Sequence, residues 1–110
     1  MTEGFKRSSR VNKPEDFDRL KKNGIRKRSG LLTASFLPGA VRRIGIVVTK
    51  KTGNAVLRNK VKRNIREYFR INKELFPKGE IIIVAAPRAG ELEPKKIREM
   101  LHSLVLKYRS

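Results

Sequence analysis

The sequence predicts an α+β fold: a two-layer α/β sandwich with the element order α-β-β-β-α-β-α and a mixed four-stranded sheet. Three observations favour this fold. The 110 residues are close to the size of a single domain, and the 38% that are hydrophobic suffice for one modest core. Strand-like and helix-like hydrophobic periods alternate along the chain, and turn residues separate them. The predicted helices cover residues 12–23, 54–75 and 93–108, and the predicted strands cover residues 25–29, 31–37, 43–50 and 80–86.

The first helix follows a polar, cationic stretch, residues 1–11, which we expect to form a mobile basic arm. Asn12 can cap this helix, and Pro14 fits its first turn because that turn does not need the missing backbone donor. Phe17 and Leu20 form its short apolar face. That face must dock on the rest of the domain, because so short a helix is marginal alone.

The strands differ in how well their patterns define them. The first is predicted at residues 25–29, and the second alternates apolar residues with Thr33 and Ser35, as expected for a strand with one face in the core. A Pro-Gly turn precedes the third strand, which is rich in β-branched residues and is predicted to pair antiparallel with the second. The fourth is a continuous apolar run, typical of a central strand covered on both faces.

The middle helix has two opposed faces at about 100° per residue. Its polar face carries one acid, Glu67, against at least six cations, and self-repulsion of this kind is tolerable only if packing or a polyanion compensates for it. The apolar stripe consists of Leu57, Val61, Ile65 and Tyr68. The polar stripe opposite consists of Asn59, Arg63, Arg66 and Arg70, and Arg58 and Lys62 fill the arc between the two stripes.

The charge of the chain indicates a polyanionic partner. There are 28 Lys and Arg residues against 10 acids, a net charge of +18, and this imbalance is typical of a nucleic-acid binder. A membrane surface is the competing polyanion, but we find no signal peptide, lipidation motif or apolar run of about 18 residues. The absence of Cys excludes disulfides and agrees with a cytoplasmic location. We therefore expect residues 1–110 to form a single RNA-binding domain.

A hydrolytic site is not evident. A nuclease needs carboxylates that hold a metal, or an acid and a base. The only tight group of acids is Glu15, Asp16 and Asp18, which fits the N-terminal dipole of the first helix and leaves a weak magnesium site as the alternative. The lone His102 lies on the last helix and is expected to be structural, with a catalytic base as the alternative. No Walker loop is present.

One string of residues is specific enough to indicate a family. Residues 50–63, with the sequence KKTGNAVLRNKVKR, closely resemble the signature of the bacterial ribonuclease P protein subunit. That signature is a Gly-Asn-Ala-Val lead into Arg-Asn-Arg, followed by a Lys-Arg pair and a further Arg, here Arg66. The resemblance extends to residues 15–17 with Gly24, to the strand at 44–49 and to residues 77–84, so that it spans nearly the whole domain.

The resemblance implies a fold, a partner and a role. The family fold has a left-handed β-α-β crossover, where the general rule predicts a right-handed one. The family protein assists a catalytic RNA that binds Mg²⁺ and cleaves the 5′ leader from precursor tRNA, so that neither the metal nor the endonuclease chemistry is expected to belong to this chain. The residues implied to contact the RNA subunit are Lys51, Arg58, Asn59, Lys60, Lys62, Arg63, Arg66 and Arg70. Those implied to contact the leader are Lys13, Phe17, Lys21, Thr33 and Ser35.

Three positions depart from the family pattern. Lys60 stands at the third position of Arg-Asn-Arg, and it keeps the charge but loses the bidentate grip of a guanidinium. Lys21 and Ser35 stand where the family often has aromatic residues, so leader binding is expected to depend more on charge than on stacking. For Phe17, packing in the core is the alternative to stacking on a leader base.

Two other functions compete with a ribonucleoprotein enzyme subunit. A ribosomal protein or RNA chaperone fits the size and charge equally well, and only the signature string separates it from the first reading. A free-standing nuclease needs a carboxylate pair that the sequence does not offer. Neither a small-molecule substrate nor a membrane partner is expected.

Overall fold

The structure is a computed structural model that describes residues 14–109; the predicted basic arm and the predicted cap Asn12 lie outside these residues. It confirms the predicted order of elements. Three helices, α1 (Pro14–Asn23), α2 (Ala55–Ile71) and α3 (Pro94–Arg109), accompany four strands, β1 (Ile25–Ser29), β2 (Leu32–Pro38), β3 (Arg43–Val47) and β4 (Gly79–Ala85). Short 3-10 helices lie at Lys50–Thr52, Lys73–Leu75 and Ala89–Glu91.

The sheet has the strand order β1-β2-β4-β3. β4 pairs antiparallel with β2 and parallel with β3. The predicted antiparallel pairing of the third strand with the second is therefore wrong, because β4 lies between them. The side chains of Ile81, Ile82 and Ile83 alternate between the two faces of the sheet, and all three are buried. This burial on both faces is typical of a central strand. The α2 crossover then brings β3 and β4 side by side in parallel.

The main core lies between one face of the sheet and the helices α2 and α3. Val61, Ile65 and Phe69 of α2 are buried there, together with Ile97 and Leu101 of α3. These positions confirm the helical periods read from the sequence. None of the helices within residues 14–109 is both long and apolar enough to span a membrane.

The opposite face of the sheet carries α1. Leu20 of α1 and Ile82 of β4 form a small buried cluster, against which Phe17 and Leu37 pack. This contact confirms that the apolar face of α1 docks on the domain and that β4 is covered on both sides.

The helix α2 ends at Ile71, earlier than the predicted residue 75. The backbone of Asn72 departs from helical geometry, and its N–H still bonds to the carbonyl of Tyr68. The short 3-10 helix that follows brings Phe76 back against Phe69, with the two rings 4.9 Å apart at an angle of 72°. This edge-to-face pair packs the segment that follows α2 against the helix.

Candidate RNA-binding surface

Local contacts set the start of α2, where the signature string begins. The Thr49 side chain and Thr52 form a reciprocal capping box around the preceding 3-10 helix. The Asn54 side chain accepts a hydrogen bond of 2.9 Å from the N–H of Leu57 and so caps α2. Gly53 has φ 151°, and a Cβ there would lie 2.9 Å from the Cβ of Leu57. The Gly-Asn lead of the string is therefore a tight turn followed by a helix cap.

One side of α2 is a band of cations directed away from the core. Arg58, Lys62 and Arg66 follow one another at i, i+4 and i+8, and they are half-buried at the edge of the band. Arg63 and Asn59 lie on the adjoining, exposed stripe. We call the surface formed by Arg58, Asn59, Lys62, Arg63, Arg66 and Arg70 the α2 cationic face.

Most cations of this face are not neutralised by the part of the chain that the structure describes. The side chains of Arg58, Lys62, Arg63 and Arg66 have no hydrogen bond or ion pair within residues 14–109. Arg70 differs, since it pairs with Glu67 one turn earlier, and this contact lowers the pKa of Glu67 below its usual range. Closely spaced guanidinium and ammonium groups without acids are suited to binding several phosphates.

Lys60 lies apart from the α2 cationic face. Its Nζ donates hydrogen bonds to the carbonyl oxygens of Gly90 (2.8 Å) and Leu92 (2.9 Å), in the loop between β4 and α3. Lys51 precedes α2 and is exposed, while its carbonyl accepts a hydrogen bond of 3.3 Å from the N–H of Arg88. The structure therefore places Lys51 near the start of the face but turns Lys60 towards the chain's own backbone.

The sheet offers a second surface, on the side that carries α1. The strand registers align Arg28, Thr33, Val84 and Val47 in one row across all four strands. α1 packs over the neighbouring rows, where it contacts Ile82 and Leu37, so the row through Thr33 remains beside it. We call this row the open sheet face.

The predicted leader contacts are distributed unevenly around the open sheet face. Phe17 is half-buried, with part of its ring on the small cluster under α1, and Lys21 is exposed. Thr33 is partly accessible, whereas Ser35 is only 5% exposed and offers little of its hydroxyl to solvent. Lys13 lies outside the described residues.

Two cations of this surface were missed from the sequence. Arg26 and Arg28 of β1 are exposed and lie directly opposite Ser35 and Thr33 in the antiparallel register. Directly opposed residues of paired strands point to the same face of a sheet. Their i, i+2 spacing was the available signal, but it became informative only once the pairing of β1 with β2 was known.

Ion pairs attach α1 to the end of the sheet. Arg19 bonds to Glu80 of β4 and, at 3.2 Å, to Asp16, while Arg43 of β3 binds the other oxygen of Glu80 at 3.0 Å. The acids Glu15 and Asp18 are exposed. Among residues 14–109, no three His, Asp or Glu side chains are grouped to hold a metal, so the weak magnesium site on α1 gains no support.

The histidine also has a structural contact. Nδ1 of His102 and the hydroxyl of Tyr68 share a hydrogen bond of 3.0 Å that links α3 to α2. This pairing gives His102 a contact within the protein, as expected for a structural histidine.

Comparison with known proteins gives a consistent result. A family model described as Ribonuclease P matches residues 5–109. The chain is 34% identical over 106 residues to the ribonuclease P protein component of Syntrophobacter fumaroxidans, covering 93% of this chain and 89% of the relative. It is 47% identical over 75 residues to that of Thermus aquaticus, covering 68% of this chain and 44% of the relative, so it spans less than half the length of the Thermus protein.

A solved structure extends the similarity to the fold. The RNase P protein of Staphylococcus aureus superposes with a TM-score of 0.84 at 35% identity, covering 93% of this chain and 95% of that protein. The order of the elements and the crossover from β3 through α2 to β4 are consistent with that fold. The left-handed connection implied by the resemblance is therefore preferred to the right-handed one that the general rule predicts.

Proposed function

The chain belongs to the ribonuclease P protein family, and we propose on that basis that it is the protein subunit of a ribonucleoprotein endonuclease in the cytoplasm. In this proposal the RNA subunit cleaves the 5′ leader from precursor tRNA, and the protein binds both the RNA subunit and the precursor. The observation that carries the proposal is the α2 cationic face, four of whose cations have no partner within residues 14–109.

The α2 cationic face is proposed as the binding site for the RNA subunit. Arg58, Lys62, Arg63 and Arg66 would bind phosphate oxygens, with Arg guanidinium groups gripping two oxygens at once and Lys62 supplying a point charge. Asn59 offers an exposed amide between them. Arg70 would contribute less, because Glu67 already accepts its hydrogen bond. Lys51 would extend the contact beyond the start of the helix.

The open sheet face is proposed as the path of the single-stranded leader. Arg28 lies in this row and Arg26 in the neighbouring one, and both are exposed. Thr33 supplies a partly accessible hydroxyl, while Phe17 and Lys21 are carried by α1, which packs over the neighbouring rows. Stacking on one aromatic ring and charge along a groove are together sufficient to bind a single strand without reading its sequence. Two surfaces of one small domain would thus hold the precursor next to the RNA subunit.

The protein is proposed to assist catalysis rather than to perform it. The leader and the RNA subunit are both polyanions, and Mg²⁺ bound by the RNA subunit must compensate for their repulsion. A chain with a net charge of +18 placed between them reduces that repulsion, so less magnesium is needed for the same rate. No side chain of this protein is assigned to the bond-breaking step.

Reconstitution tests the proposal. The full chain is added to the cognate RNA subunit and precursor tRNA at a magnesium concentration that barely supports cleavage by the RNA alone. The expected result is faster removal of the leader and tighter binding of precursor than of mature tRNA. Cleavage no faster than with the RNA alone would overturn the proposal and favour a ribosomal protein or RNA chaperone.

A further inference from the structure

The contacts of Lys60 set it apart from the other cations of α2. Two of its three N–H donors bond at 2.8 and 2.9 Å to the carbonyl oxygens of Gly90 and Leu92, and the side chain is partly buried by this loop. At about 100° per residue, position 60 lies outside the arc of the α2 cationic face, roughly 60° from its nearest member, Arg63, and its Nζ faces the loop that leads into α3. An ammonium that donates to two carbonyls has one N–H donor left for a phosphate.

The loop that Lys60 holds is in close contact with the chain that leads into α2. A Cβ on Gly90 would lie 2.7 Å from the carbonyl oxygen of Thr52 and 2.8 Å from the Cβ of Leu57. The N–H of Arg88 bonds at 3.3 Å to the carbonyl of Lys51. The loop therefore packs against residues 51–57, which include Lys51 and the first turn of α2. This segment is where the α2 cationic face begins.

The backbone of this loop is strained at one residue. Arg88 has φ 74°, a left-handed conformation that is unfavourable for a residue with a Cβ. A strained residue keeps such a conformation only where the surrounding structure over-determines it. The two hydrogen bonds from Lys60 lie two and four residues further along and hold the loop against the helix.

We propose that Lys60 is a positioning residue, which fixes the loop from Arg88 to Leu92 against the start of α2 and does not itself bind the RNA subunit. The proposal rests on the proposed function, since it assigns the RNA contacts to the other cations of α2. Lys60 uses two of its three N–H donors on the carbonyls of Gly90 and Leu92. The bidentate grip that matters at position 60 is thus on the protein's own backbone.

The test compares three variants that each remove one positive charge: Lys60→Met, Lys62→Met on the α2 cationic face, and Arg98→Gln on the exposed side of α3. Binding of the cognate RNA subunit is measured at increasing salt concentration, and the steepness with which log affinity falls with log salt is called the salt slope. Amide hydrogen exchange is measured in the free protein. Lys60→Met is expected to speed amide exchange in residues 51–57 and 88–92 and to weaken binding without lowering the salt slope more than Arg98→Gln does. Lys60→Arg is expected to restore both exchange and affinity.

Lys62→Met is expected to do the reverse, lowering the salt slope by about 0.7–0.9 with unchanged exchange. The inference fails by itself if Lys60→Met lowers the slope as much as Lys62→Met and leaves the loop's exchange unchanged. The proposed binding of the RNA subunit to the α2 cationic face is overturned instead if Lys62→Met and Arg98→Gln both show the salt slope of the wild type.

A measurement on the wild-type protein keeps the inference testable if Lys60→Met does not fold. Amine acylation followed by mass spectrometry reports how accessible each lysine is. Lys60 should react more slowly than Lys62 in the free protein, and adding the RNA subunit should protect Lys62 while changing Lys60 little. Equal reactivity in the free protein, with both lysines protected by RNA, would overturn the inference.

Discussion

Removing three neighbouring charges from the α2 cationic face provides a quantitative test of how the RNA subunit is bound. Lys62, Arg63 and Arg66 have no partner within residues 14–109, so their replacement by Met, Gln and Gln breaks no described contact. Log affinity falls with log salt, and each phosphate contact adds about 0.7–0.9 to the steepness of that fall. The triple variant should therefore make the fall less steep by about 2 to 3. The free energy of unfolding should stay the same or rise, because self-repulsion along the helix is relieved.

The assay is a series of equilibrium binding measurements with the cognate RNA subunit at increasing salt. The matched control neutralises three exposed cations elsewhere, Lys78, Lys95 and Arg98, whose side chains likewise have no partner among the described residues. It removes the same net charge from other parts of the surface. If the control lowers the slope as much as the triple variant, binding depends on total charge and the reasoning from the α2 cationic face is refuted.

Three further predictions concern the leader surface, the loop and the tyrosines. Phe17→Ala should weaken binding of precursor tRNA to the holoenzyme by about 1–3 kcal/mol through lost stacking; an equal loss with mature tRNA would contradict this. Gly90→Ala should lower the free energy of unfolding by about 1–3 kcal/mol, since its Cβ would lie 2.7 Å from the Thr52 carbonyl oxygen; denaturant melts equal to wild type would refute the close packing. Burial raises the pKa of Tyr108 to about 12 and also raises that of Tyr68. The stability present below the ordinary tyrosine pKa should therefore be lost as pH rises towards 12, because the unfolded chain ionises first. Tyr108→Phe should show a smaller loss in pH-dependent urea unfolding, and an identical loss would contradict the assignment.

The element order was predictable from the sequence because hydrophobic periods are local. The apolar run around Ile82 and the stripe from Val61 to Tyr68 each define their element without knowledge of the rest of the chain. Strand pairing is not local in this way. Nothing within residues 31–50 indicates that β4, which follows α2, inserts between β2 and β3. The one pointer to this position was the continuous apolar run of β4, which is typical of a central strand covered on both faces.

The α2 cationic face was predictable for the same reason, since a helical wheel depends only on spacing. The role of Lys60 was not, because its acceptors are carbonyls of Gly90 and Leu92, about thirty residues along the chain. The angular position of Lys60, off the cationic band, was the one available signal. The accessibility of Ser35 likewise depends on how α1 sits over the sheet, which the alternation within β2 does not reveal.

A tethered cleavage probe can show whether the RNA subunit binds the α2 cationic face. Because the chain has no Cys, a single introduced thiol gives a unique attachment point. A hydroxyl-radical probe is attached either to Asn59→Cys, at the centre of the face, or to Glu99→Cys, exposed on α3, and the reconstituted complex is assayed for strand cuts. If the RNA subunit binds the α2 cationic face, we expect localised cuts in it from position 59 and few from position 99. Equal cutting from both positions, or localised cutting from position 99 alone, would contradict it.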